Sequence, residues 1–114
     1  MPHFVMECSS NVLSVQPAET LIHEVHDVAA STGLFREGDI KARIRPFSVY
    51  TVGGGNDDFL HVFAYIMQGR TTEQKRDLSE RIVKRLKELL PDVPILSINV
   101  MEFEKATYCN RTMV

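Results

Sequence analysis

The sequence of 114 residues predicts a two-layer α+β fold, in which a duplicated β-α-β unit builds a four-stranded mixed sheet with two helices on one face. Apolar segments of strand length recur, two segments have helical spacing, and the order strand, helix, strand occurs twice. The length suits a single domain over residues 1–114, with pseudo-repeats at about 2–57 and 58–114. Such a sheet has an uncovered second face, so we expect the chain to oligomerise through it.

The first half of the chain reads as strand, helix, strand. An apolar strand spans residues 2–8 and is followed by a polar turn. A helix should begin near Pro17, since proline is tolerated in a first turn, and end at Gly33. Residues 40–51 alternate apolar and basic side chains, which is typical of a half-buried strand. Pro46 indicates a bend or an edge position in that strand.

The second half repeats this order. Residues 53–58 predict a turn, and residues 59–68 predict a buried strand. Thr71, with Gln74 three residues later, matches a capping box at the start of a helix. The apolar stripe of that helix consists of Leu78, Ile82, Val83, Leu86, Leu89 and Leu90. Two prolines should end the helix before a last strand over residues 95–104, and the final residues form a tail that could dock on a neighbouring subunit.

The composition is that of an ordinary globular domain, with 44% hydrophobic and 25% charged residues. The formal net charge of -2 gives no support to a nucleic-acid partner, and no apolar run is long enough to span a membrane. Cys8 and Cys109 form no CxxC pair, so a disulfide framework is not expected. Because the N-terminus has no signal-peptide pattern, we expect a cytoplasmic protein.

Pro2 is the candidate catalytic residue. Methionine is normally removed before a small second residue, and Pro2 would then carry a free secondary amine at the start of a strand. Burial and nearby cations disfavour the protonated amine and bring its pKa towards neutrality, where general acid–base catalysis is efficient. Proline follows the initiator methionine in many proteins, so this pattern by itself favours an ordinary N-terminus.

Basic residues supply the candidate substrate-binding groups. Lys41, Arg43 and Arg45 fall on one strand face, and Arg70 follows a strand where a helix opens. Arginine binds carboxylates through two parallel hydrogen bonds, so such a cluster could hold an acid and stabilise an enolate. A solvated strand face is the plainer interpretation, which we favour for Arg45. Arg70 gains support from the backbone N–H groups at the helix start.

The histidines give weaker signals. His23 and His26 lie one helical turn apart, but without further ligands they predict surface packing and no metal site. His61 is expected in the core or at an interface. His3 should point to the strand face opposite Pro2, which argues against a catalytic role.

Four segments resemble known enzymes. Residues 1–11, MPHFVMECSSN, resemble the start of 5-carboxymethyl-2-hydroxymuconate isomerases of the tautomerase superfamily, and the resemblance continues through residues 32–35 and 40–43. Residues 69–75, GRTTEQK, also look like the strand-to-helix segment of 4-oxalocrotonate tautomerase. Together these segments carry the resemblance over most of the chain, and the first and last of them are its specific parts.

This resemblance implies a trimeric isomerase that needs neither cofactor nor metal and has its sites near subunit boundaries. Pro2 matches the catalytic proline, Arg70 matches the arginine after the third strand, and Arg43 matches a basic position of the second strand. Lys41 stands where the family often has arginine, and lysine lacks the planar two-bond contact, so the substrate's identity is open. Asn99 stands near the corresponding place in the second half, so one site per subunit is expected.

The implied reaction is the ketonisation of an acidic dienol such as 5-carboxymethyl-2-hydroxymuconate, from homoprotocatechuate breakdown, with the proline carrying the proton. Two alternatives stay open. A related hydration or dehalogenation of a short unsaturated acid would need a group that activates water, for which Glu7 and His61 are candidates. A non-catalytic trimer that serves as a binding module, like a cytokine-like member of the superfamily, would be favoured by retention of Met1.

Overall fold

The computed structural model describes residues 1–114. The strands are β1 (His3–Ser9), β2 (Lys41–Phe47), β3 (Phe59–Met67) and β4 (Ile95–Phe103). The helices are α1 (Val12–Val15), α2 (Ala18–Ser31) and α3 (Thr72–Leu89). Two short 3₁₀ turns occupy Glu37–Asp39 and Arg111–Met113.

The four strands form one mixed sheet in the order β2-β1-β3-β4. The β1–β2 and β3–β4 pairs are parallel, and the central β1–β3 pair is antiparallel. A long helix connects each parallel pair, as a parallel crossover requires, and α2 and α3 pack side by side on one face of the sheet. The predicted fold class, a four-stranded mixed sheet with two helices on one face, is confirmed.

The core lies between the sheet and the two long helices. Successive strand residues point to opposite faces, so the even-numbered residues of β1 and β3 meet the helices. These side chains are fully buried, and they are Phe4, Met6, Cys8, Leu60, Val62, Ala64 and Ile66. The helices contribute Leu21, Val25, Ala29, Leu78, Ile82 and Leu86. The stripe predicted for α3 therefore faces the core at its central positions.

Two boundaries differ from the sequence prediction. The second strand ends at Phe47 and not at residue 51, because its partner β1 ends at Ser9, which pairs with Phe47. Pro46 lies in this strand, which is an edge of the sheet as predicted, so its missing N–H costs no ladder bond. The short helix α1 replaces part of the expected turn after β1.

The local signals for the second half hold. Thr71 Oγ1 accepts a hydrogen bond from the Gln74 N–H at 3.1 Å, and Gln74 Oε1 accepts from the Thr71 N–H at 2.9 Å, which completes the capping box. The turn before β3 is closed between Val52 and Gly55, and both glycines inside it have positive φ. None of the helices combines the length and the hydropathy of a membrane-spanning segment.

The opposite face of the sheet carries no helix and is referred to as the helix-free face. Its central positions are Val5 of β1, Phe63 of β3 and Asn99 of β4, which are aligned across the sheet. Phe63 and Tyr65 are only half-buried in the single chain, and Met101 of the edge strand is exposed. Aromatic groups in such a position have apolar surface available for a further subunit.

Candidate active site

Pro2 lies immediately before β1, at the end of the sheet where β2 also begins and where β3 and β4 finish. Its carbonyl oxygen accepts a hydrogen bond of 3.1 Å from the Lys41 N–H, which extends the β1–β2 ladder by one bond. The Pro2 side chain is buried. Its position is therefore fixed by the sheet, as a site on a rigid element should be.

A pocket of about 390 Å³ opens at this end of the sheet. It is lined by Met1, Asp39, Lys41, Met67, Tyr108 and Asn110. Met1 is half-buried and forms part of the lining. Loss of Met1 would therefore have two consequences at one place. It would convert the Pro2 amide nitrogen into an amine, and it would add the volume that Met1 occupies to the pocket.

The electrostatic surroundings at this end of the sheet favour a neutral N-terminal amine. Burial lowers the pKa of the Met1 amine from its ordinary value of 8.0, and the neighbouring Lys41 lowers it further. The carboxylate of Asp39 acts in the opposite direction. An amine on Pro2 would lie one residue further into the same surroundings, between the same cation and the buried start of β1.

Lys41, Arg43 and Arg45 share the helix-free face, as predicted, because they pair with His3, Val5 and Glu7 respectively. Lys41 lies nearest to Pro2, and its Nζ donates to the Asp39 carbonyl oxygen at 2.9 Å. Arg45 is exposed at the far end of the strand and forms no salt bridge. The solvated-face interpretation of Arg45 therefore stands.

Arg43 is turned back towards the Pro2 end of the sheet. Its Nη1 lies 3.0 Å from Nδ1 of His3 on the neighbouring strand. Burial lowers the pKa of His3 below 6.5, and the charge of Arg43 lowers it further. The neutral ring thus accepts the hydrogen bond from the guanidinium. His3 points to the opposite face from Pro2, as predicted, and there it holds Arg43 in place.

Arg70 lies apart from these cations. Its Nη2 donates to the Leu34 carbonyl oxygen at 2.6 Å, and its Nη1 donates to the Met67 carbonyl oxygen at 3.3 Å. The guanidinium also stacks over the Phe35 ring, 5.2 Å from the centroid. Arg70 thus ties the loop after α2 to the end of β3. Of the predicted site residues, Lys41 alone lines the pocket at Met1, and the lining includes none of Arg70, Arg43 and Pro2.

The candidates for activating water lie elsewhere. Glu7 is five residues along β1 from Pro2, about 16 Å at the usual strand rise, and His61 pairs with Glu7 on the helix-free face. His61 is not in the helix-covered core. Its Nδ1 lies 2.6 Å from Ser97 Oγ and its Nε2 lies 2.7 Å from Asn99 Oδ1. With both ring nitrogens engaged, His61 has no free nitrogen for a substrate.

The remaining histidines form no metal cluster. His26 is paired with Glu37 at 3.2 Å, and His23 lies exposed on the same helix. No group of three or more His, Cys, Asp or Glu side chains is close enough together to hold a metal ion.

Besides Met1, four residues of the pocket lining were not among the predicted site residues: Asp39, Met67, Tyr108 and Asn110. Asp39 and Met67 occur beside predicted strand ends, so their proximity follows once the strand order is known. Tyr108 and Asn110 belong to the tail after β4, which turns back on its own chain. The sequence predicted only a tail that could dock on a neighbouring subunit, and no local pattern indicated that it returns to its own N-terminus.

A family model and a sequence relative both match this chain and carry the same description. The family model described as CHMI, 5-carboxymethyl-2-hydroxymuconate isomerase, matches residues 2–113. The 5-carboxymethyl-2-hydroxymuconate Delta-isomerase of Escherichia coli is 28% identical over 89 residues, which cover 76% of this chain and 71% of that protein.

Solved structures share the fold. A 5-carboxymethyl-2-hydroxymuconate isomerase from Deinococcus radiodurans R1 superposes with a TM-score of 0.84 at 23% identity, covering 96% of this chain and 88% of that chain. A fused 4-OT wild-type protein, described as a symmetric trimer, superposes with a TM-score of 0.79 at 14% identity. That alignment covers 98% of this chain and 96% of the other.

Proposed function

Since the chain belongs to the 5-carboxymethyl-2-hydroxymuconate isomerase family, and is thus an isomerase, we propose that it ketonises an acidic dienol with the Pro2 amine as general acid–base. One observation carries this proposal. Pro2 is buried at the end of the sheet where a pocket, Lys41 and an N-terminal amine of lowered pKa lie together.

The proposed reaction moves one proton and needs no redox partner. The neutral amine of Pro2 takes the proton from the enol hydroxyl, whose O–H bond breaks as the C=O bond forms. The conjugated double bonds shift, and the protonated amine returns the proton to a carbon of the chain as a new C–H bond. Each turnover leaves the amine neutral again, so the amine must exchange its proton readily near the working pH.

In this proposal, two cations hold the acidic ends of the substrate. Lys41 lines the pocket at Met1, next to Pro2 in the chain, and Arg43 is directed by His3 towards the same end of the sheet. Positive charge fixed in this way binds carboxylates and offsets the negative charge that develops on the enolate oxygen. A dienol with two or three carboxylates, such as 5-carboxymethyl-2-hydroxymuconate from homoprotocatechuate breakdown, is the substrate class that fits.

Assembly and location complete the proposal. The half-buried aromatic side chains of the helix-free face suit a homotrimer in which each subunit covers part of its neighbour, and a structural neighbour described as a symmetric trimer supports this. We place the protein in the cytoplasm. The distance of Glu7 from Pro2 disfavours hydration or dehalogenation through that carboxylate.

The test compares Pro2→Ala with the wild type in a spectrophotometric ketonisation assay on 5-carboxymethyl-2-hydroxymuconate. Alanine also permits removal of Met1, so intact mass establishes that both proteins begin at residue 2. We expect kcat/KM to fall at least ~100-fold in Pro2→Ala. The control, Pro17→Ala, changes an exposed proline at the start of α2 and should keep full activity.

Retention of Met1 in the wild type, or equal rates for Pro2→Ala and the wild type, would overturn the proline mechanism. The non-catalytic binding module would then be the better interpretation.

A further inference from the structure

The segment after β4, residues 104–114, is anchored at its start and reverses direction. The Lys105 N–H donates to Gln68 Oε1 at 2.6 Å, and the Gln68 N–H donates to the Phe103 carbonyl oxygen at 3.1 Å. The N–H groups of Thr107 and Tyr108 both donate to the Glu104 carbonyl oxygen at 3.2 Å. This turn directs the chain back over the end of the sheet where Pro2 lies.

The segment reaches the pocket with two polar side chains. Tyr108 is half-buried, packs 6.4 Å from Phe103 between ring centroids, and lines the pocket together with Asn110. The Tyr108 hydroxyl has no hydrogen-bond partner within the chain, although the rest of the side chain is held by packing. A phenol held against a pocket with a free hydroxyl can donate to a ligand at little entropic cost.

Asn110 is oriented by its own turn. Its Oδ1 accepts hydrogen bonds from Thr112 N at 3.0 Å and from Thr112 Oγ1 at 2.7 Å. The acceptor end of the amide is thus occupied, and its NH₂ group remains free to donate. The tail therefore offers two donors, from Tyr108 and Asn110, to a pocket that already holds the Lys41 ammonium.

We infer that residues 104–114 form a wall of the Pro2 site, and that Tyr108 is a specificity-determining residue whose hydroxyl donates to the C2 oxygen of a 2-hydroxy or 2-oxo acid. This inference rests on the proposed function of Pro2. A carboxylate next to that oxygen meets Lys41 and the Asn110 amide. The carboxylate of Asp39, on the same lining, repels a second acid group from its side of the pocket.

Tyr108→Phe removes only the hydroxyl, so it tests the contact without removing the packing. We expect kcat/KM for 5-carboxymethyl-2-hydroxymuconate to fall about 5- to 10-fold, the range for one hydrogen bond. The acidic limb of the pH profile, which reports the Pro2 amine, should not move. The control is Tyr50→Phe, which removes the same hydroxyl from a tyrosine outside this pocket, where it donates to the Asn56 carbonyl oxygen, and which should match the wild type.

A second variant tests the charge of the wall. Asn110→Asp keeps an oxygen for both Thr112 donors and places a negative charge on the pocket. We expect KM to rise at least about 10-fold, while thermal melting stays within a few degrees of the wild type.

The unreactive diacid cis,cis-muconate, which lacks the 2-hydroxyl, separates the two proposals. Its Kd should be unchanged in Tyr108→Phe and higher in Asn110→Asp. Neither result depends on turnover by Pro2. Wild-type kinetics in both variants would overturn the assignment of the wall. If Pro2→Ala keeps wild-type activity while the Kd values for cis,cis-muconate are those expected, only the proton-transfer proposal is overturned.

Discussion

Arg43 of the edge strand and His3 of the central strand are joined by a contact of 3.0 Å between Nη1 and Nδ1. The histidine ring is the acceptor, because burial and the guanidinium charge both lower its pKa. An exposed cation on a strand face is thereby directed to the end of the sheet that holds Pro2. Protonation of His3 would set two positive charges against each other and release Arg43.

The His3 titration gives the first prediction. In the wild type its midpoint, followed by NMR of the imidazole C–H signals, should lie below 6.5. Arg43→Gln should raise the midpoint only part of the way, since burial is the larger cause. Arg45→Gln is the matched control, two residues further along the same face, and should leave it unchanged. Equal midpoints in wild type and Arg43→Gln would show that the contact does not exist in solution.

Arg70 should contribute to stability as well as to any binding role. Arg70→Lys loses the two-carbonyl bridge and the stacking on Phe35, which a point charge cannot reproduce. We expect a loss of about 1.5–3 kcal/mol in the free energy of unfolding, measured with urea at fixed protein concentration. Arg76→Lys, on the exposed side of α3, should stay within about 0.5 kcal/mol. A stable Arg70→Lys variant with reduced activity would assign Arg70 to substrate binding alone.

The two cysteines should react very differently. Cys8 is fully buried, and burial, together with the nearby Asp58, raises the pKa of its thiol to about 11. Cys109 is exposed in the tail. Because the thiolate is the reactive form, the native protein at pH 8 should bind one equivalent of a thiol reagent, and Cys109→Ser should bind none. Both thiols should react in denaturant. Rapid labelling of native Cys109→Ser would contradict the buried position of Cys8.

An ion pair between the two long helices gives a prediction for acid stability. Arg85 donates to both oxygens of Glu24, at 2.9 and 3.0 Å, and these bonds lower the pKa of Glu24 from its ordinary 4.5. The Glu24 carboxylate therefore binds its proton more tightly in the unfolded chain than in the folded chain. The stabilisation is complete above pH 4.5 and is lost as pH falls through the lower pKa of the folded state.

Glu24→Gln should accordingly lower the melting temperature by about 1–4 °C at pH 7, a small effect for a solvent-accessible pair. The difference from the wild type should shrink below pH 4.5. Asp27→Asn, an exposed and unpaired position of the same helix, is the control. A difference that persists unchanged at low pH would show that charge on Glu24 is not its cause.

The helix-free face gives the prediction for assembly. Phe63 lies near the middle of this face, so Phe63→Glu should place a charge inside the proposed trimer interface. We expect light scattering after size exclusion to give a trimer mass for the wild type and a smaller mass for Phe63→Glu. Val49→Glu, at a position 90% exposed in a loop, should remain trimeric. A trimer in both variants would mean that another surface forms the interface.

Much of the fold followed from local sequence. The strands, the long helices, the capping box at Thr71 and the shared face of the three basic residues depend on periods of two and 3.6 residues and on short-range hydrogen bonds. The end of β2 was predicted incorrectly, since it is set by the length of β1, a partner far away in the sequence.

The sequence by itself determined the elements, the family resemblance and the candidacy of Pro2 and Lys41, because these are written in spacing and in short motifs. Only the tertiary structure decided the strand order, the pairing of Arg43 with His3, the separation of Arg70 from the pocket and the return of Tyr108 to the N-terminus. These relationships join residues that are tens of positions apart, and they are fixed by packing and strand pairing, which no local pattern encodes.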